Sequence, residues 1–474
     1  MINPAAATDI PAAPVEIATG ELGKDLKSRH IAMISIGGII GAGLFVGSSA
    51  SIAAIGPAVI LSYLLAGAII LFVMRMLGEM ATAAPEIGSF TEYTRLGLGH
   101  WAGFVSGWLY WYFWAIVVAI EVIAGTTIIQ PLIPLPGWVI GIGLLSSLTA
   151  VNLMSTRSYG EFEFWFASMK VAAILAFIVI AGAYAFGITS PAGPTFGNLF
   201  AHGGFAPFGA VSVFAGVTSV IFALCGAEIA TSAAAETAEP ARTVAKLTTS
   251  VVVRIALFYV LSIALIVAIV PWTQIRVGYS PFASALEVIG VPAAAAIMKF
   301  VVLVAVLSCL NSGLYVTSRV LFTLASHGDA PKALVALNQR RVPARAILLG
   351  SAFGYVGVLL SILSPDRVFS FLVNASGAIM IVIYLMVTAA QVRLRRYFQA
   401  VDPARLQVRM WLFPGLSYAV AAALIAVLIA MAITPDLVSQ FYASLVCCLV
   451  VAGGYLLRRR LPGLAQAVRT PGAA

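Results

Sequence analysis

The chain has 474 residues, of which 61% are hydrophobic and 9% charged, and its formal net charge is +9. Soluble domains carry about 25% charged residues, so this composition excludes a water-soluble fold and leaves a polytopic membrane protein. The basic balance is not a nucleic-acid footprint; its explanation lies in where along the chain the bases fall.

Residues 1–20 are rich in Ala and Pro, with no basic n-region and no early apolar core. No cleavable signal is visible, and the stretch reads as a disordered tail. A helix needs about 20 apolar residues to cross a bilayer. Twelve segments meet that rule, at roughly 31–54, 57–78, 101–129, 137–154, 162–187, 208–235, 248–270, 292–324, 344–363, 368–391, 411–434 and 438–457. Basic residues crowd one set of loops, among them Lys24, Lys27, Arg29, Arg75, Arg95, Arg157, Arg242, Arg340, Arg341, Arg393 and Arg458. The opposite loops hold only Arg276, Lys299 and Arg367. That asymmetry predicts both termini in the cytoplasm and an even number of spans.

The first span, from Ile31 to Gly56, is apolar yet carries Gly37, Gly38, Gly41, Gly43 and Gly47. Each interior Gly costs a continuous helix roughly 1 kcal/mol relative to Ala, so the segment is prone to open near Gly41, Ala42 and Gly43. The backbone N–H groups of Ala42, Gly43 and Leu44 would then suit a carboxylate. The competing explanation is that small residues let two helices pack closely.

In the third span Glu121 shares a helical face with Tyr110 and Trp114. That face either lines a pathway, with Glu121 towards its outer part, or makes a polar packing contact. In the fifth span Lys170 lies seven residues beyond Glu163, roughly 10 Å along the helix. Such a lysine either snorkels to the membrane edge or serves a buried charge function. With Glu228, these are the ionisable residues expected well inside spans, where charge is costly and by default functional.

The sixth span repeats the theme of the first: Phe222, Cys225 and Gly226 precede Glu228. Glu228 is open to three roles there: carrying a proton, accepting backbone N–H bonds from an opened helix, or meeting a positive substrate end. Five spans separate the two interruptions, the sequence pointer to an inverted-repeat secondary transporter with spans 1–5 and 6–10 as repeats and two appended. Asn311, Ser312, Asn374 and Ser376 read mostly as polar links between helices. The loop from His327 to Pro343 reads equally as an amphipathic surface segment or a solvated linker.

Cys225, Cys309, Cys447 and Cys448 sit in apolar runs without CxxC spacing and read as small packing residues; the four histidines are scattered. No metal or cofactor site is expected. No GxxxxGK[ST] loop occurs, which argues against an ATP-driven pump, and no nucleophile–base constellation marks an enzyme.

Several stretches are familiar. LKSRHIAMISIGGIIGAGLFVGSS, GWLYWYFWAIVVAIE, GEFEFWFASMKV, GAEIATSAAAETAEP, SCLNSGLYVTSRVLFTLASHGDAPKAL and FLVNASGAI resemble, in order and through nearly the whole chain, the amino acid permeases of the amino acid–polyamine–organocation superfamily. SCLNSGLY, GAEIATSAAAE and VRMWLFP are most similar to the bacterial 4-aminobutyrate (GABA) permeases. The resemblance implies an all-α fold of twelve transmembrane helices, the LeuT-type 5+5 inverted repeat with two extra helices and broken helices 1 and 6. The permease domain would occupy 29–460, between cytoplasmic tails 1–28 and 461–474. It implies proton-coupled uptake across a bacterial inner membrane by alternating access. It places a substrate carboxylate at Gly41, Ala42, Gly43 and Leu44, and the amine near Phe222, Cys225 and Gly226, with Phe222 as a gate. Lys170 would sit against the first break in place of a sodium ion. The partners implied are a small amino acid, protons and the lipid bilayer, with no obligate protein partner evident. A permease for aromatic or neutral α-amino acids, and an amino acid exchanger, are the alternatives.

Overall fold

The computed structural model describes residues 40–84, 89–154, 156–226, 228, 255–291, 293–338, 340 and 342–460, by backbone alone at 156–162 and 255–256. Ile31 to Ile39, with Gly37 and Gly38, lie outside the described residues, as do the two tails and the far end of the sixth span. Among the described residues every regular element is helical. Nine helical stretches there are long and apolar enough to cross a membrane, the first running from Gly43 to Ala83. Two shorter apolar helices, Gly209–Leu224 and Leu257–Ile269, lie within the predicted sixth and seventh spans.

A π-helical turn, Gly43–Gly47, leads into α1 (Ser48–Ile55). Two hydroxyls hold this turn: Ser48 Oγ donates to Leu44 O and Ser49 Oγ to Val46 O, both at 2.6 Å. Such back-bonding competes with the regular helical ladder, and π turns are frequent at functional sites. α2 (Val59–Ala83) and the short α3 (Phe90–Leu98) follow. Next come α4 (His100–Ile129), α5 (Gly137–Met154), α6 (Thr156–Ala185), α7 (Asn198–Ala201) and α8 (Gly209–Leu224). The second half holds α9 (Ser262–Ile269), α10 (Pro281–Ile289), α11 (Ala294–Ser326), α12 (Ala344–Ser361), α13 (Pro365–Val401), α14 (Gly415–Ile433) and α15 (Val438–Arg460).

α4 is the central post. Its most apolar window is 72% buried, against 11% for α15 at the periphery. α3, α11, α12 and α13 pack on α4, while α1, α2, α13 and α14 pack on α8. In lipid, helices associate by close packing and polar links rather than by the hydrophobic effect. Gly377 of α13 shows how close: a Cβ there would lie 1.9 Å from Thr218 O of α8. Polar links between helices include Asn152 Nδ2 to Asn311 Oδ1 at 2.6 Å and Thr218 Oγ1 to Asn374 Oδ1 at 3.4 Å, so both asparagines act as the sequence suggests.

Two ionic networks centre on the buried acids Glu79 and Asp329. Glu79 of α2 accepts from Gln391 Nε2 (2.8 Å), Arg395 and the Met410 amide. Asp329, just beyond α11, takes Arg95 Nη2 at 2.6 Å and Arg458 of α15, with His100 Nε2 at 3.2 Å. The loop around it is anchored at Ala330 and Leu334, which are buried against Trp111, Leu321 and Ala346, while Pro331, Lys332, Ala333 and Ala336 are exposed.

Candidate functional site

α8 stops at Leu224, and the chain turns out of helical geometry. Cys225 is extended (φ −64°, ψ 152°), and Gly226 has φ 115°, a conformation L side chains rarely adopt. Glu228 folds back on this turn. Both of its carboxylate oxygens accept the Gly226 N–H at 3.1 Å, and the Tyr110 and Tyr384 phenols donate to them at 3.4 Å. Glu228 is fully buried.

The Gly41–Gly43 stretch lies against this end of α8. A Cβ on Gly43 would meet Ala223 Cα at 2.7 Å, and one on Gly41 would meet Cys309 Sγ at 2.6 Å and Glu121 Oε1 at 2.8 Å. Only residues without side chains allow three chain segments to meet here. The Ala42 N–H, expected to hold a substrate carboxylate, donates to both oxygens of Glu121 at 3.0 and 3.2 Å. Leu44 N–H returns to Gly41 O at 3.2 Å. Two of the three amides assigned to a ligand thus have partners within the protein.

Between these segments lies a small cavity lined by Gly41, Gly43, Phe113, Trp114, Val117, Glu121, Phe222, Ala223, Cys225 and Cys309. It offers the centre of a water molecule about 10 Å³, close to the least that holds one water. Phe222 is buried and meets Phe113 edge-on, with ring centroids 6.4 Å apart. Five of the predicted site residues therefore share one cavity: Gly41, Gly43, Glu121, Phe222 and Cys225. Ala42 reaches it through Glu121, whereas Leu44 and Gly226 serve the backbone turns on either side. Glu121 sits at the heart of this site rather than towards an outer mouth. Cys309, read as packing, forms part of the wall.

Lys170 does not snorkel. It is fully buried, donates to Ser308 Oγ at 2.7 Å and lies 3.8 Å from Glu163 Oε1. Ser308 Oγ in turn lies 2.7 Å from both oxygens of Glu163. Ser308 precedes Cys309 of the cavity wall, so α11 touches this buried ion pair with one residue and the cavity with the next. The ionisable residues inside the fold are also more numerous than expected: Glu79 and Glu163 are as buried as Glu121 and Glu228. In the sequence Glu163 marks only the start of its span. Its partner Lys170 lies seven positions on, two turns along one face, and that spacing was the available signal.

The geometry offers a carboxylate, aromatic walls and the ends of two helical segments around one small space, a setting for a small molecule with charged ends. Comparison with known proteins narrows the class. Residues 30–462 match the family described as amino acid permease. The chain is 46% identical to the gamma-aminobutyric acid permease of Bacillus subtilis (strain 168), covering 95% of this chain and 96% of that one. It is 44% identical to a probable GABA permease of Pseudomonas aeruginosa, with 94% of each chain covered. It is 40% identical to the aromatic amino acid transport protein AroP of Corynebacterium glutamicum, over 83% of this chain and 86% of that one.

Proposed function

The chain belongs to the amino acid permease family, and from that premise we propose that it imports GABA and related small zwitterionic amino acids by proton-coupled alternating access. It transports amino acids rather than transforming them. The observation that carries the reading is the cavity itself: the Gly41–Gly43 stretch and the end of α8, some 180 residues apart in sequence, enclose it together with Glu121. Opened backbone from two distant segments around one midplane site is the plan of inverted-repeat carriers. On this reading the chain makes twelve spans in a LeuT-type 5+5 arrangement with two appended, and helices 1 and 6 are broken at these stretches. Both termini and the tails 1–28 and 461–474 face the cytoplasm of a bacterial inner membrane. The relatives named for GABA support the substrate.

In this scheme the substrate ammonium pairs with Glu121, Phe222 gates the cavity, and Lys170 with Glu163 forms the proton-sensitive pair. A buried lysine that gives up its proton leaves Glu163 without its charge partner, so the pair is expected to rearrange. Glu228 holds the second break in shape.

The test is uptake of labelled GABA into proteoliposomes under an imposed inside-alkaline pH gradient without sodium. Transient accumulation that collapses with a protonophore supports the proposal. Absence of uptake in vesicles holding folded protein sinks it. Phe113, Trp114 and Phe222 on the cavity wall, with the likeness to an aromatic amino acid transport protein, favour a second reading, a permease for aromatic α-amino acids. Competition of labelled GABA uptake by a panel of amino acids separates the two, and dependence on internal preloading identifies an exchanger.

A further inference from the structure

The Ala42 N–H already holds a carboxylate, and it is the protein's own. Both oxygens of Glu121, reaching from α4, share that one amide at 3.0 and 3.2 Å. The contact is buried at both ends and leaves little space: a Cβ on Gly41 would lie 2.8 Å from Glu121 Oε1. A backbone amide has one N–H to give, and the cavity beside it offers the centre of a water molecule only about 10 Å³. A second carboxylate therefore cannot join Glu121 at this amide; it can only take its place. Among the described residues, Glu121 is also the one charged group in the cavity wall. Once pushed off the amide it needs a new partner, because a buried charge left unpaired is costly.

We propose that Glu121 is a tethered stand-in for the substrate carboxylate, and that it makes the carrier select amino acids over plain carboxylic acids. The inference rests on the transport reading given above. An amino acid brings a carboxylate for Ala42 and an ammonium for the displaced Glu121. Both protein groups leave the exchange paired, and the net charge in the cavity is unchanged. A plain carboxylate of the same length brings the first group without the second. Its entry strands Glu121 and puts two negative charges in one buried space. The ligand is then rejected for the end it lacks, although the amide that would hold its carboxylate is intact.

The test measures binding to the purified carrier in detergent, from the dose dependence of ligand-induced shifts in melting temperature, for wild type, Glu121→Gln and Glu121→Met. The ligands are 4-aminobutyrate, pentanoate, which has a methyl group in place of the ammonium, and pentanamide, which also has a neutral carbonyl in place of the carboxylate. Gln keeps one carbonyl oxygen for Ala42; Met fills similar space with only a weak acceptor. Wild type should bind pentanoate about a hundredfold more weakly than 4-aminobutyrate. In both variants 4-aminobutyrate should weaken about tenfold. Pentanoate should instead tighten, about tenfold in Glu121→Met and about threefold in Glu121→Gln. Pentanamide, whose carbonyl can accept the freed N–H, should tighten with it. A merely structural Glu121 would improve no ligand. The proposal is overturned if wild type binds pentanoate as well as 4-aminobutyrate, or if pentanoate gains nothing in a variant that folds. It is overturned too if pentanoate gains and pentanamide does not, which would mark charge repulsion rather than competition for the amide. Should either variant fail to fold, the other decides alone. Wild type that ignores 4-aminobutyrate but binds another amino acid refutes the GABA reading, and this inference is then decided with that amino acid and its own methyl-for-ammonium analogues.

Discussion

Two stretches of backbone border the cavity, the Gly41–Gly43 start of one helical run and the end of α8, and each has a backbone N–H capped by a glutamate. At the second, Glu228 caps Gly226, two residues away on the same strand of chain. At the first, Glu121 caps Ala42 from a different helix, 79 positions on. The local cap belongs to its own turn, although the Tyr110 and Tyr384 phenols also tie it to α4 and α13. The distant cap lasts only while α4 and the Gly41–Gly43 stretch stay together. The second turn is therefore a fixed piece of architecture, and the first is a contact the protein can make and release. A ligand ammonium that draws Glu121 away would free an amide at the same moment.

The harshest way to break this comparison is to keep the two turns apart. Gly43→Ala puts a methyl group 2.7 Å from Ala223 Cα, backbone that cannot turn aside, and uptake should be abolished. Gly47→Ala, whose Cβ would meet only Ala42 O at 3.5 Å, should remain active in the same assay. Next in size is Lys170→Ala, which leaves Glu163 buried without its cation. Removing one member of a buried pair costs about 3–5 kcal/mol. Proton-driven accumulation should vanish while the protein still inserts, and normal uphill uptake would remove Lys170 from the coupling scheme.

The two caps themselves should separate by readout. Glu228→Gln weakens a charge-assisted cap worth about 1.5–3 kcal/mol and should lower the unfolding temperature in detergent, with a smaller change in KM. Glu121→Gln keeps one carbonyl oxygen for Ala42 but loses the charge that an ammonium would meet. It should leave the melting temperature nearly in place and raise KM for GABA about tenfold or more. If both variants lose stability alike, the distinction between a fixed cap and a releasable one fails. The smallest effect is expected from Cys309→Ser, a near-isosteric exchange at the cavity wall, with uptake within about threefold of wild type.

Much of this was legible in the sequence because lipid allows so few solutions. Long apolar runs and the placement of arginines are read directly, and helix is seen in the described part of each predicted span. Glu121, Lys170 and Glu228 stood out because a charge in an apolar run is rare. Their partners did not. Ala42 and Gly226 engage through backbone atoms, which the residue name does not report. Ser308 is one of many serines in apolar helices, and nothing in its surroundings announces a carboxylate from α6. Glu163 lies close enough to Arg157 and the polar start of its helix to pass for an interfacial residue. Cys309 reads as packing in the sequence because a thiol has the size and polarity of a packing group; only the meeting of α11 with Gly41 puts it on the wall. Burial and pairing across helices are tertiary facts, and a single sequence carries them only faintly.

The small size of the cavity has a consequence for affinity. An amino acid is far larger than this space, which offers about 10 Å³ to the centre of a water molecule, so the cavity wall must part before one enters. The affinity measured at equilibrium is then the intrinsic affinity of the opened site multiplied by the fraction of carriers already open. If about one carrier in a hundred is open, the apparent dissociation constant is about a hundredfold weaker than the contacts alone would produce. A substitution far from the cavity that favours the open form would tighten binding without touching the ligand, and its signature would be the same fold-change for every substrate.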